Sequence, residues 1–296
     1  MFPTFPRGAT IPSILTAYAQ TGGSHMRRVS KGRLIITQPM GLASYGSKLQ
    51  QLADQHLQEM ISTDELLRYH TLAPTHLSFR RPDDRPGTCE PTENWLLTDW
   101  TFVHSKAARL CPVCVEEDIA QYGCGHWRRE HQLRHVCICT RHGQALHEKC
   151  TEPGCDATLG TLSKRLPSQP CPTCKSAYSV PLEHPSISHG YASFCKLFTD
   201  AVEMYIPEVA PSNRHELQSF SYDVCGGRLD VFEQMLKHWL GPQACHAGDA
   251  AEIAIEWLRA PIETQCFRLV EPSWVLLAAF KRDITGSPAG QPEYYW

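Results

Sequence analysis

Apolar residues recur at helical spacing near both ends of the chain and lose that rhythm in the middle. Ile11 to Thr21 is a short apolar-rich segment, and Leu49, Leu52, Leu57 and Met60 fall on roughly one face of a helix from about Ser47 to Met60. Ser62-Thr-Asp-Glu65 follows with capping-box spacing, so Ser62 satisfies the N3 amide while Glu65 reaches back to the cap. A second helix therefore starts there and carries Leu66, Leu67 and His70. Two helices joined by a tight turn fit a helix-turn-helix, and equally any α-hairpin of a plain bundle. In the last third, Tyr191 to Tyr205, Arg228 to Leu240, Asp249 to Leu258 and Glu271 to Lys281 each predict a helix, with Pro272 in the first turn of the last. Trp239, Trp257 and Trp274 lie among apolar residues at core spacing and are expected to anchor that core.

Two proline-rich stretches, Phe79 to Thr88 and Pro181 to Pro185, divide the chain. Three parts result: a helical, helix-turn-helix-like region over 1–85, a cysteine-rich module over 101–180 and a helical region over 186–296. The expected class is mainly α with small zinc-ribbon β elements. No apolar h-region opens the chain and no membrane span follows, which predicts a cytoplasmic protein whose thiols stay reduced. Charge is uneven: residues 101–180 carry 10 Lys+Arg against 7 Asp+Glu, and residues 181–296 carry 8 against 15. An acidic last third is a poor phosphate binder and suits a protein partner better.

With 14 cysteines in 296 residues, metal is the first chemistry to weigh. Cys111-Pro-Val-Cys114 can turn two sulfurs toward one ion, and Cys139-Thr-Arg-His142 has the same spacing and ends in an imidazole. Three thiolates and one imidazole make the closed shell of a structural zinc. The insert between the two knuckles is long enough for structure of its own, and Asp118 to Leu133 holds enough helix formers to supply it. Cys150, Cys155, Cys171 and Cys174 form a second set with ribbon-like spacing. Two structural Zn²⁺ ions are thus expected. Cys89, Cys124, Cys137, Cys195, Cys225, Cys245 and Cys266 have no mate at knuckle spacing.

Four protein ligands leave no open position for water, so neither zinc is expected to be catalytic. His126-Trp-Arg-Arg-Glu130-His131 has one residue too many for the inverted zinc-protease motif. A phosphate-binding G-x-x-x-x-G-K-[ST] loop and a G-x-S-x-G elbow are both absent from the sequence. A zinc-dependent nucleic-acid enzyme such as a nuclease is the competing reading. It requires an open metal site or a carboxylate cluster, and the sequence supplies neither convincingly.

The run Leu110-Cys-Pro-Val-Cys-Val-Glu-Glu-Asp-Ile119, then Tyr122-Gly123, Trp127-Arg-Arg-Glu-His-Gln-Leu133 and Cys139-Thr-Arg-His-Gly143, resembles the TniQ/TnsD family of transposon target-selection proteins. His70-Thr-Leu-Ala-Pro74 is similar to that family's segment after its N-terminal helices. The likeness covers about residues 10–175 and implies an N-terminal helix-turn-helix part, a double zinc-finger module and a non-enzymatic adaptor role in DNA transposition. Such adaptors link a target site, recognised as DNA or through an RNA-guided CRISPR effector complex, to a TnsC-like AAA+ ATPase. No membrane partner is implied, and assembly as a homo-oligomer is compatible with the likeness. Tyr122, Trp127, Arg128 and Arg129 are the candidates for a partner or DNA surface, because Trp and Arg are favoured interface anchors.

Overall fold

The computed structural model describes residues 5–20, 61–72, 74–75, 107–160, 165–179, 186–203, 214–247, 249–259 and 271–286. The helix expected over 47–60, and with it the helix-turn-helix pairing, lies outside these. The chain divides into two compact units, one of residues 1–73 and 86–184 and one of residues 74–85 and 185–296. The first helices and the cysteine-rich module belong to the same unit, and the chain passes between the units at 73/74, 85/86 and 184/185.

In the first unit, α1 spans Ile11–Gln20. Thr10 accepts the Ser13 amide at its entry (3.4 Å), and Ile14 and Ala17 are buried three residues apart on one face. Helix α2 spans Thr63–His70 with both capping-box bonds made: the Glu65 amide donates to Ser62 Oγ (3.2 Å), and the Ser62 amide donates to Glu65 Oε2 (3.0 Å). Leu66 and His70 point inward, where His70 Nδ1–H donates to the Ala9 carbonyl at 2.7 Å.

Helix α3 spans Pro112–Tyr122, and this corrects the register expected for the insert between the knuckles. Helix formers between Asp118 and Leu133 suggest a helix there, but local stereochemistry decides otherwise. Pro112 at the first helical position starts the helix at Cys111, and Gly123, at φ 79°, ends it with its N–H on the Ile119 carbonyl. The segment after it is irregular except for a 3₁₀ turn at Glu130–Gln132. β pairing among the described residues takes the form of isolated antiparallel bridges, such as Ala9 with Arg128, Leu110 with His147, Ile138 with Ala145 and Lys149 with Thr158.

The second unit is helical: α4 His189–Val202, α5 Arg214–Cys225, α6 Leu229–Leu240, α7 Ala244–Ala247, α8 Asp249–Arg259 and α9 Glu271–Thr285. Helix α9 packs on α4 and α8. Phe220, Phe232 and Phe280 meet edge to face at the core, with the Phe232 and Phe280 centroids 5.3 Å apart. Trp239 joins them at 5.3 Å from Phe280 and donates Nε1–H to Asp283, as its core role requires. The sequence pattern misses α5, because Arg214, His215, Glu216, Gln218 and Ser219 obscure the inward pair Leu217 and Phe220.

Gly190 lets α4 approach α6 closely. A Cβ at that position would lie 2.3 Å from the Trp239 carbonyl oxygen and 2.4 Å from its ring. Gly190→Ala is expected to destabilise this unit by about 1–3 kcal/mol, the usual cost of overpacking, and a lowered denaturant midpoint in equilibrium unfolding is the check.

Candidate metal centres

Each sulfur of the first set is placed by a local turn. Cys111 caps α3 and Cys114 sits in its first turn, so the positive end of the helix faces both thiols. The amides of Val113 and Cys114 donate to the Cys111 sulfur. On the facing knuckle, the His142 and Gly143 amides return to the Cys139 carbonyl at 3.3 and 2.8 Å. Gly143 completes that turn at φ 64°, a conformation that a side chain disfavours. The Ile138 and Ala145 bridge closes the loop behind it.

The four donor atoms converge. Nδ1 of His142 lies 3.5, 3.3 and 3.5 Å from the sulfurs of Cys111, Cys114 and Cys139, and the Cys114 and Cys139 sulfurs are 3.6 Å apart. A tetrahedral ion with sulfur at ~2.3 Å and nitrogen at ~2.0 Å requires edges of about 3.8 Å between sulfurs and about 3.5 Å between sulfur and nitrogen. The donor set fits zinc in both size and chemistry. All three cysteines are buried. Hydrogen bonds from Cys114 and Cys139 pull the Cys111 thiol down to about 3, while bonding to Cys111 and Cys139 pushes Cys114 far up. Such crowding admits one thiolate readily and three only with a dication between them.

The second set is built the same way with less cover. Cys150 and Cys174 sulfurs are 3.6 Å apart, and those of Cys155 and Cys171 are 3.8 Å apart. The Cys174 and Thr173 amides donate to the Cys171 sulfur and bring its pKa down to about 6. Lys175 takes the place that Gly143 holds in the first centre, at φ 67°. Both groups of four are therefore assembled as the spacing predicts. His126, Glu130 and His131 form no further ligand cluster among the described residues, and neither do the remaining described cysteines.

Residues 1–146, about half of the chain, match the TniQ family model. Through that half, the chain belongs to the TniQ family. No individual curated protein matches it. TniQ is a domain of transposition, an adaptor rather than a known enzyme. The matched stretch contains the whole first metal set and ends before Cys150, so the second set lies beyond it.

The expected partner surface is corrected by the TniQ part itself. Trp127 is 2 % exposed and packs with Leu110, Val115 and Leu159, donating Nε1–H to the Arg165 carbonyl at 2.5 Å. Arg128 is buried against Asp118, and Arg129 donates to the carbonyls of Arg68 and Thr71. Backbone bonds from Thr10 to Trp127 and from Arg129 to Gly8, both 2.7 Å, tie this run to the start of the chain. Trp127, Arg128 and Arg129 thus form an internal strut, because guanidinium forks serve buried carbonyls and carboxylates as well as they serve phosphates. Tyr122 is half-buried, with its ring edge-on to His126.

Sequence reasoning also passed over the polar supports of this strut. Arg109 Nη1 donates to three carbonyls, those of Leu133, Arg134 and Val136 at 2.9–3.0 Å, and Gln132 Nε2 donates to those of Arg109 and Arg128 at 2.9 Å. A usable signal was present for Asp118. Cys111, Cys114, Val115 and Asp118 follow i, i+3, i+4, i+7 spacing, the inward face of α3.

The buried imidazoles make this unit sensitive to acid. Burial holds His70 down to about 4 from an ordinary 6.5, against the opposing bond to Ala9, and burial with the Arg128 charge holds His126 near the same value. Between these two pKa values the unfolded chain binds the extra proton. The His70 contribution is therefore complete above pH 6.5 and is lost as pH falls toward 4, on the order of 3 kcal/mol. Asn can reproduce the donor without titrating. His70→Asn is expected to flatten the dependence of melting temperature on pH across that window, and the difference between the two proteins isolates the imidazole, since acid release of metal is common to both.

Proposed function

We propose that this chain is a non-enzymatic adaptor in DNA transposition that joins a target site to a TnsC-like AAA+ ATPase, built around two structural zinc ions. The TniQ match over residues 1–146 carries the reading. The metal centres support it, because each set supplies four protein ligands and leaves no position for an activated water. Seven ligand thiols that must stay reduced suit a cytoplasmic setting.

The target is reached mainly through a partner, such as an RNA-guided effector complex, rather than by direct site binding of the TnsD kind. Of the cations between residues 101 and 180, Arg109, Arg128 and Arg129 are committed to internal partners. Two zinc centres with seven thiolates add further negative charge to a chain that already carries −3. Few phosphates can be neutralised by what remains. None of the described helices is long and apolar enough to cross a membrane.

Purified chain, a TnsC-like AAA+ ATPase and target DNA test the proposal by co-sedimentation with ATP at about 0.15 M salt. The chain is expected to co-sediment with the ATPase on DNA and to bind naked DNA weakly. Failure to join the ATPase, or metal-dependent cleavage of DNA abolished by a point mutation, overturns the adaptor reading. Nanomolar sequence-specific binding by the chain alone overturns targeting through a partner.

A further inference from the structure

Two side chains outside the ligand sets touch the first metal centre from opposite sides. Glu117, one turn past Cys114 on α3, places Oε1 3.1 Å from His142 Nε2, and Arg141 Nη2 donates to its other oxygen at 2.9 Å. Since His142 turns Nδ1 toward the sulfurs, its proton resides on Nε2 and is donated to Glu117. On the buried side, His131 of the 3₁₀ turn is 2 % exposed and directs Nε2 at the Cys114 sulfur, 3.8 Å away.

We propose that Glu117 and His131 are positioning residues of this centre. Glu117 fixes the imidazole with its Nδ1 lone pair aimed at the ion, and His131 donates Nε2–H to the Cys114 thiolate. The proposal rests on the reading that the set holds zinc.

Each contact answers a distinct physical demand. His142 is the one ligand that can rotate away from the ion and still keep its ring hydrated, and a carboxylate on the far nitrogen removes that freedom while raising ligand basicity. Cys114 has the opposite difficulty. Its sulfur is buried in a centre that carries a net charge of −1 when three thiolates and an imidazole bind Zn²⁺, and a buried charge needs donors. Cys111 receives two backbone amides, and His131 supplies a side-chain donor to Cys114. The second centre has no imidazole in its ligand set, so it serves as an internal control.

Competition of the full-length, zinc-loaded chain against a chromogenic chelator is the test, with cobalt substitution as a second readout. The side chain of Glu117 is 43 % exposed, so Glu117→Ala removes no packed core atom. Glu117→Ala is expected to weaken one of the two ions about 10–100-fold and leave the other unchanged. Glu117→Gln, which still accepts from Nε2–H, is expected to restore most of that loss. His131→Phe is expected to weaken the same ion and shift the sulfur-to-cobalt charge-transfer band, and His131→Gln, which keeps a donor, to shift it less. Wild-type affinities for both ions in Glu117→Ala and His131→Phe, with an unchanged cobalt spectrum, overturn the proposal and leave the zinc reading standing. A wild-type chain that binds neither zinc nor cobalt overturns both.

Discussion

Cys114→Ser is expected to reduce bound zinc from two ions to one and to open the fold around the first centre while the second set keeps its ion. Cys114 is 1 % exposed and its sulfur lies within 3.6 Å of two other donors, so no water can take its place without opening the centre. Structural zinc contributes about 10–16 kcal/mol of apparent binding energy, as much as a whole domain's net stability of about 5–15 kcal/mol. Regular β pairing adds little there, since among the described residues it consists of single bridges. Elemental analysis should give one zinc per chain, and limited proteolysis should cut between residues 107 and 147, around the first set. Cys245→Ser, at an exposed position outside both sets, should keep two ions and wild-type resistance. A Cys114→Ser protein with two zinc ions and an intact protease pattern is incompatible with the centre as built.

The second large effect is expected at Arg128. Burial pushes the Asp118 carboxyl above its usual value, with the Arg128 guanidinium pulling the other way. Arg128→Ala leaves that carboxylate without its buried partner, and breaking a buried pair from one side costs about 3–5 kcal/mol. For a unit of this size the melting temperature should fall by about 10 °C. Replacing both partners removes the stranded charge, so Arg128→Leu with Asp118→Leu is expected to melt well above Arg128→Ala alone. If the double variant is no better than the single, the ion pair is not the source of the loss. Assembly with a partner, by contrast, should change only as far as folding does, because the guanidinium is not at the surface.

Local stereochemical signals were legible in the sequence, and burial was not. The Ser62 to Glu65 box and the knuckle spacings act over three to five residues, so their geometry follows from the order of residue types alone. Pro112 and Gly123 were equally local, and they, rather than the helix formers after Asp118, set the ends of α3. Trp127, Arg128 and Arg129 show the limit. A tryptophan beside two arginines has the same composition whether it meets a partner protein or the chain's own carbonyls. What distinguishes the cases is Ser13, Arg68 and Thr71, which lie about 60 to 115 positions away and which no spacing rule connects. Glu117 and His131 were hidden for a related reason, since their importance comes from an imidazole and a thiolate brought near by folding.

The stitching of the chain's start to the Trp127 strut also sets an order of events on the ribosome. Each metal set is gathered within about 30 residues and can close soon after its last ligand emerges. Helix α1 also draws on distant partners: Ser13 meets His126 and Trp127, 113 and 114 positions later. At ~5–20 residues per second these Ser13 contacts stay unmade for on the order of 10 s. Contacts of such high separation also slow folding, because loop closure must come first. Zinc supply during synthesis therefore governs more than the metal centres: without a closed first centre to hold Trp127 in place, the bonds from Thr10 and Ser13 to that strut cannot form.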